Sequence, residues 1–323
     1  MPEPETVTIV SAGDESYVLG VAVALDSAVR RLNRSLPAHV VVLSAGMSSR
    51  SHDTLREMAT RWRRGCVLEI MHPVIGRDLP QPAHFSLAAY ARLALPLMLP
   101  ATRRAIYLDA DVHVRRDVAG LWQMDLMGAP AAAVADFAFP SLAAGLARMA
   151  PALDPNLPYF NTGVLLMDLD RWRAERLGEQ IVTWTIGHRD EVRFADQDGI
   201  NAVLAGRIVE LSPQWNVQIG PLEGRRDRDA PRPSGWMTEN QPGIGQEPWI
   251  VHFVGGKPWT GKGLRFSTSS MAAHMGWHAA LCRSRAIGTR RHAALGADVL
   301  STLGRRAAVR LGAGPRWVGA RIR

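Results

Sequence analysis

Short apolar runs that alternate with amphipathic stretches constrain the fold of this chain more than any other feature. Each run has the length of a buried strand, and the first four lie at residues 6–10, 40–43, 67–70 and 105–108. Between the runs, apolar residues recur at helical spacing, as at positions 18, 21, 22, 25, 29 and 32. This alternation predicts an α/β fold with a doubly wound sheet. Further strands are expected at 131–135, 163–167, 207–211 and 249–253, and helices near 53–63, 86–99, 170–187 and 197–205.

The composition is that of a globular protein in a reducing compartment. With 323 residues, 47% hydrophobic and 21% charged, the chain is neither disordered nor fibrous, and no apolar stretch approaches the roughly 20 residues of a membrane span. Cys66 and Cys282 are too few for a disulfide scaffold or a cysteine zinc site. The acidic start leads into a strand rather than a signal peptide, so we expect a cytoplasmic protein.

Positive charge is concentrated at the carboxyl end. The net charge is +8, and residues 283–323 carry ten arginines against Asp298, which is +9, so the other residues sum to −1. The arginines interleave with apolar residues, as in a basic amphipathic helix on an anionic membrane surface, although a solvated tail also fits. We expect one domain over 1–281 and a membrane-associating tail over 282–323, peripheral on the inner face of the membrane. The neutral body argues against a nucleic-acid partner.

Two acidic residues, Asp109 and Asp111, follow the apolar run at 105–108. Ligands collect at the carboxyl ends of parallel strands, so these carboxylates are placed to share a divalent cation with a phosphate. A solvated turn would have the same sequence. A phosphatase of the haloacid-dehalogenase type also carries Asp-x-Asp at a strand end, but it requires Thr or Val where His113 stands here.

Six ordered blocks of sequence point in the same direction, at residues 11–17, 90–92, 108–112, 159–167, 196–201 and 252–259. Together they resemble the retaining glycosyltransferases of family 8, over residues 6–260. The resemblance implies a GT-A type fold, which is a Rossmann-like mixed sheet flanked by helices, here followed by the basic C-terminal tail. It also implies a Mn²⁺ site, with Mg²⁺ as the other candidate ion, formed by Asp109, Asp111 and His252.

The same resemblance assigns roles in binding the donor and in catalysis. The implied donor-binding residues are Ala12, Asp14, Tyr17, His84, Arg92, Asp109, Ala110, Asp111, Asp136, Asn161, Gly163, Gly255 and Lys257. Asp196 and Gln197 correspond to residues beside the transferred sugar, and Asp198 is a third catalytic candidate. Taken without the resemblance, Asp196 and Asp198 would cap a helix, and His252 or His84 would be an ordinary structural or loop histidine.

The function implied is transfer of glucose or galactose from a UDP-sugar to a hydroxyl of a saccharide or glycolipid, such as a lipopolysaccharide core, with retention of configuration. Retention usually requires a carboxylate nucleophile, but Gln197 is a poor one. We therefore expect front-face attack, with Asp198 as the other candidate nucleophile. The acceptor is expected at residues 220–248, where Trp236 could stack on a sugar. A non-catalytic protein that binds UDP-sugars or saccharides is the alternative class.

Overall fold

The computed structural model of the chain describes residues 5–76, 78–82, 85–219, 247–254, 256–260 and 268–286. Several expectations fall outside these residues. They concern His84, Gly255, most of the 220–248 segment with Trp236, and the tail beyond 286. No described helix is both long enough and apolar enough to cross a membrane.

Ten strands lie in the described part of the chain and form two sheets. In chain order they are β1 (Val7–Gly13), β2 (Ala38–Ser44), β3 (Cys66–Met71), β4 (Arg104–Leu108), β5 (Val112–Val114), β6 (Ala131–Ala135), β7 (Phe160–Asp168), β8 (Ile208–Glu210), β9 (Val217–Gln218) and β10 (Ile250–His252). The seven-stranded central sheet has the order β3-β2-β1-β4-β7-β6-β8, in which only β7 is antiparallel to its neighbours. Strands β5, β10 and β9 form the small second sheet.

Helices cover both faces of the central sheet. They are α1 (Val18–Arg31), α2 (Ser49–Ala59), α3 (Leu95–Met98), α4 (Ala119–Trp122), α5 (Leu142–Gly145), α6 (Leu169–Ala174), α7 (Leu177–Gly187), α8 (Asp196–Val203) and α9 (Thr268–Ser284), with a long 3₁₀ segment at Leu87–Ala94. Strand β1 is buried along its whole length, because Val7 and Ile9 pack under α1, which α9 contacts in turn, while Val10 and Ala12 pack under the opposite layer.

The predicted mixed sheet flanked by helices is confirmed, and all eight predicted strands are present. The α2 helix begins earlier than the sequence pattern predicts, because the Ser48 side chain caps it by accepting from the Ser51 amide at 3.2 Å. The predicted helix at 86–99 is mostly 3₁₀, and the one at 170–187 is divided at Arg176, whose φ is 53°.

The direction of the strands brings distant parts of the sequence to one edge of the sheet. Strands β1, β4 and β6 end at this edge, and the antiparallel strand β7 begins there, since Ala135 pairs with Phe160. In the second sheet His252 pairs with Val112, which places the end of β10 beside the turn that follows β4. All the side chains considered below meet at this edge.

Candidate active site

Three potential metal ligands converge at the carboxyl edge of the sheet. Asp109 and Asp111 lie in the turn between β4 and β5, and His252 ends β10; their ligand atoms all lie within 4.8 Å of one another. His252 Nε2 is 3.1 Å from Asp111 Oδ1 and 3.8 Å from Asp109 Oδ2. Two carboxylates and an imidazole are a donor set that fits a divalent cation such as Mn²⁺, which accepts oxygen ligands and tolerates nitrogen.

Gly163, at the start of β7, gives these ligands the room to approach. A Cβ atom at this position would lie 2.2 Å from His252 Cε1 and 2.8 Å from Asp109 Oδ2, closer than real Cβ contacts. Glycine at 163 is therefore required by the packing of the three-ligand cluster, and the requirement does not depend on the backbone angle.

Lys257 is the cation next to the acidic pair. Its ammonium pairs with Asp111 Oδ2 and donates to the carbonyl of Phe253 at 3.3 Å. Burial alone would raise the pKa of Asp111, but Lys257 and His252 hold it well below its usual range. Burial also acts to lower the pKa of Lys257, and Asp111 outweighs it and raises that pKa. The cluster therefore contains a paired carboxylate and ammonium at one side of the cleft.

Arg92 joins the metal cluster to the other side of the site. Its side chain is 4% exposed, and it lies 3.3 Å from Asp109 and 2.7 Å from Asp196, with its guanidinium 4.3 Å above the centre of the Tyr107 ring. It also donates to the carbonyl of Thr162. Burial alone would lower the pKa of Arg92, but the carboxylates raise it, so the group stays charged. Burial raises the pKa of Asp196 to about 7, with Arg92 opposing that rise.

Asp136, Asn161 and Gln197 form a hydrogen-bonded group beyond Arg92. Asp136 Oδ2 accepts from the Asn161 amide at 3.1 Å and from the Gln197 amide at 3.3 Å. Gln197 Oε1 accepts from the Thr162 backbone N–H at 3.0 Å. The residue before α8, Ala195, has φ 50° and ψ −123°, a strained conformation that non-glycine residues rarely adopt outside functional sites.

Asp198 is fully buried and is not part of the cleft wall. Its Oδ1 accepts from the Tyr159 hydroxyl at 2.5 Å, and its Oδ2 accepts from the backbone N–H groups of Arg193 and Phe194 at 2.7 and 3.1 Å. Both carboxylate oxygens are therefore engaged in holding the loop before α8.

The end of β1 and the following turn form the remaining wall. Tyr17 packs edge-on against Trp259 at 5.4 Å, and burial raises the pKa of its hydroxyl. Asp14 caps the turn by accepting from the Ser16 backbone N–H at 2.9 Å. Gly20 leaves space for the Trp259 ring and the Ala110 carbonyl, because a Cβ there would lie 2.7 Å from the ring and 2.3 Å from the carbonyl oxygen.

A cleft of about 500 Å³ runs along these walls. Seven of the predicted residues line it, namely Ala12, Tyr17, Arg92, Asp109, Ala110, Asp111 and Lys257. His252, Asp196, Gln197, Asp136, Asn161 and Gly163 lie beside it through the contacts described above, whereas Asp14 faces its own turn.

Some residues of the site escaped the sequence analysis. Asn216 contacts His252 Nδ1 at 3.0 Å, and Phe85 and Phe194 line the cleft. Tyr159 and Trp259 stand in the quoted blocks but received no role there. Asn216 follows Trp215 in a short 3₁₀ turn at Pro213–Asn216, a sequence without a pattern that predicts chemistry.

The fold and the site define an α/β protein with a candidate metal-binding cluster at the carboxyl edge of its sheet. The family model described as Glycosyl transferase family 8 matches residues 8–263, so the chain belongs to this family and is a transferase of glycosyl groups. The predicted family is thereby confirmed.

Individual proteins are also similar to this chain over most of its length. The chain is 26% identical over 277 residues to General stress protein A of Bacillus subtilis, covering 80% of this chain and 89% of the relative. It is 26% identical over 259 residues to Lipopolysaccharide 1,2-glucosyltransferase of Escherichia coli, covering 79% of this chain and 73% of the relative. A crystal structure of the galactosyltransferase LgtC with donor and acceptor sugar analogs shares the fold, with a TM-score of 0.69, 22% identity and coverage of 88% and 98%.

Proposed function

We propose that this protein transfers a hexose, glucose or galactose, from a UDP-sugar to a hydroxyl of a saccharide or glycolipid, with Mn²⁺ and with retention of configuration. The observation that carries the proposal is the continuous row of contacts from Lys257 and Asp111 through His252 and Asp109 to Arg92 and Asp196. This row supports neighbouring proposed sites for a cation, a diphosphate and a sugar. The glucosyltransferase and galactosyltransferase named among the relatives support the two hexoses.

Charged side chains from three segments would bind the diphosphate. Mn²⁺ held by Asp109, Asp111 and His252 would supply Lewis-acid neutralisation of the charge on the leaving UDP. Lys257 is placed to add an ammonium charge, and the Arg92 guanidinium orients Asp109 while facing the cleft. Gly255 remains a proposed phosphate contact, and His84 a proposed contact of the phosphate or of the acceptor.

The nucleoside would lie at the end of β1. We assign Tyr17 to packing on the nucleoside and Ala12 to a backbone contact, since both line the cleft. Asp14 is proposed to bind the base by its position in the same turn. The edge-on contact of Tyr17 with Trp259, whose ring packs against Gly20, favours a defined position of the Tyr17 ring.

The sugar would lie between Arg92 and Gln197. Asp196, Asp136 and Asn161 are proposed to bind its hydroxyls, with the Gln197 amide near the anomeric carbon. The described carboxylates here already have partners, which makes them poorly placed as nucleophiles. Asp196 pairs with Arg92, and Asp136 accepts four hydrogen bonds. Asp198 is engaged at both oxygens, which supports a positioning role for it. These contacts favour front-face attack over a covalent intermediate.

The acceptor and the site of action are proposed from the sequence alone. Residues 220–248, with Trp236 as a stacking surface, would receive the acceptor. The arginine-rich segment at 282–323 would hold the enzyme at an anionic membrane surface on its cytoplasmic side, near a glycolipid acceptor. Liposome binding that is unchanged after removal of residues 287–323 would contradict this part of the proposal.

The test is release of UDP from a panel of UDP-hexoses, with Mn²⁺ and with chelator, by the full-length protein and by its Asp111→Asn variant. We expect slow, Mn²⁺-dependent hydrolysis of one donor, reduced about 100-fold or more by the substitution because one metal ligand is weakened. Absence of release and of binding for every UDP-sugar would overturn the proposal. The configuration of the product, read by NMR, tests retention separately.

A further inference from the structure

Asn216 links the histidine of the metal cluster to the proposed sugar pocket. It lies in the turn before β9, is 2% exposed, and its side chain contacts His252 on one side and Asn161 on the other. His252 Nδ1 is 3.0 Å from Asn216 Oδ1, and Asn216 Nδ2 donates to Asn161 Oδ1 at 2.8 Å. Asn161 Nδ2 in turn donates to Asp136 Oδ2 at 3.1 Å.

The direction of these hydrogen bonds is fixed from the Asp136 end. The Asp136 carboxylate accepts four hydrogen bonds, from the backbone N–H groups of Ala138 and Phe139 and from two side-chain amides. Asn161 must therefore turn its amide nitrogen towards Asp136 and its oxygen towards Asn216.

A second contact sets the same orientation of Asn161 independently. The backbone N–H of Gly163 donates to Asn161 Oδ1 at 3.1 Å, which requires an oxygen at that position. Asn216 then has only one satisfactory orientation, with its nitrogen towards Asn161 and its oxygen towards His252. The imidazole must donate to that oxygen, so Nδ1 carries a proton.

This tautomer matters because only the other ring nitrogen, Nε2, faces Asp109 and Asp111. With Nδ1 protonated, Nε2 is the ring nitrogen that can bind a cation, and any proton that it shares with Asp111 Oδ1, 3.1 Å away, leaves when the cation binds. We propose that Asn216 is a positioning residue that fixes the tautomer and the ring orientation of His252 for metal binding, and that it ties this ligand through Asn161 to the sugar-side carboxylate. The metal-binding part rests on the proposed function, whereas the tautomer does not.

The first experiment reads the tautomer without metal. Nitrogen-15 NMR of histidine-labelled protein, with the His252 signal assigned from a His252→Gln variant, should show the proton on Nδ1 in the wild type. In Asn216→Leu, which has a similar size but cannot accept a hydrogen bond, the signal should move towards the Nε2–H form. A wild-type ring without a proton on Nδ1, or a signal unchanged in the variant, would overturn the inference.

The second experiment measures Mn²⁺ affinity by the electron paramagnetic resonance signal of the free ion, with and without UDP. Asn216→Leu should bind Mn²⁺ about 10- to 100-fold more weakly than the wild type, the usual effect of removing a partner of a metal-binding histidine. Gln218→Leu is the matched control, because it keeps the backbone pairing of β9 with His252 and removes only a buried side-chain amide that bonds to the backbone of Phe137 and Ala135. Equal losses in both variants would overturn the role of Asn216.

The substitution Asn216→Asp separates the contact with His252 from the contact with Asn161. An aspartate keeps an acceptor for His252 but places a second oxygen against Asn161 Oδ1. Mn²⁺ affinity should therefore be no lower than in the wild type, while the KM for the donor rises several-fold; a loss of Mn²⁺ affinity equal to that of Asn216→Leu would contradict the tautomer argument. A wild type that binds no Mn²⁺ would instead overturn the proposed metal site, and the NMR result would still decide the positioning role.

Discussion

The substitution Gly163→Ala should disable the site through one methyl group. The added Cβ would lie 2.2 Å from His252 Cε1, and ordinary contact begins at 3.4 Å, so the ring or the strand must move by the difference, about 1.2 Å. The ring cannot simply turn away, because Asn216 holds its Nδ1. Metal–ligand distances tolerate only about 0.2 Å of error, so a displacement of this size would remove His252 from the proposed metal site.

The expected cost can be stated for both activity and stability. A misplacement of about 1 Å in a catalytic constellation lowers the rate about 100-fold, which corresponds to about 2.7 kcal/mol in transition-state free energy. Overpacking should lower the free energy of unfolding by about 1–3 kcal/mol. The assay is Mn²⁺-dependent UDP release by Gly163→Ala and by the wild type, with thermal unfolding of both proteins.

A matched control is available in α7. Gly187 ends that helix, and a Cβ there would have nothing within 4 Å, so Gly187→Ala should keep wild-type activity. A Gly163→Ala enzyme with kcat/KM within threefold of this control would refute the reasoning, because the close approach of His252 and Asp109 would then be unnecessary for catalysis.

Two further substitutions test the other side of the cleft. Gln197→Ala should lower kcat about 100-fold, as removal of one preorganised polar group does, while calorimetry finds UDP affinity nearly unchanged; a large loss of UDP binding would contradict its placement at the sugar. Arg92→Lys keeps the charge but cannot reach both Asp109 and Asp196 with a planar fork, so we expect about 3 kcal/mol lower stability in denaturant titration and weaker donor binding. Unchanged stability of that variant would show that the buried carboxylates do not need the guanidinium.

The sequence allowed prediction of those parts of the site that follow from local pattern. Asp109 and Asp111 were recognised because they directly follow a buried run, and the ordered blocks identified the family. The direction of β7 could not be predicted, since hydrophobic periodicity is the same for a strand that runs either way. The start of α2 was missed because a single serine hydroxyl sets it.

Contacts between side chains far apart in sequence could not be predicted either. The pairing of Arg92 with Asp196 depends on how the 3₁₀ segment packs against α8, and no local signal reports it. The role of Asn216 could not be predicted for the same reason, because it follows from contacts with His252 and Asn161, which lie on strands distant in sequence. Asp198 shows the reverse case: an acid beside two site residues in sequence, which the helix nevertheless turns into the interior.

The antiparallel direction of β7 has a practical consequence for anyone who wishes to modify this enzyme. The loops at the opposite edge of the sheet, where β7 ends and β4 and β6 begin, contain none of the described residues assigned to the cleft. The tight turn at Met127 and Gly128 lies there, with Met127 76% exposed and both residues at positive φ. A fluorophore or an affinity handle attached at this turn would report on the enzyme from the far side of the sheet and leave the reacting groups untouched.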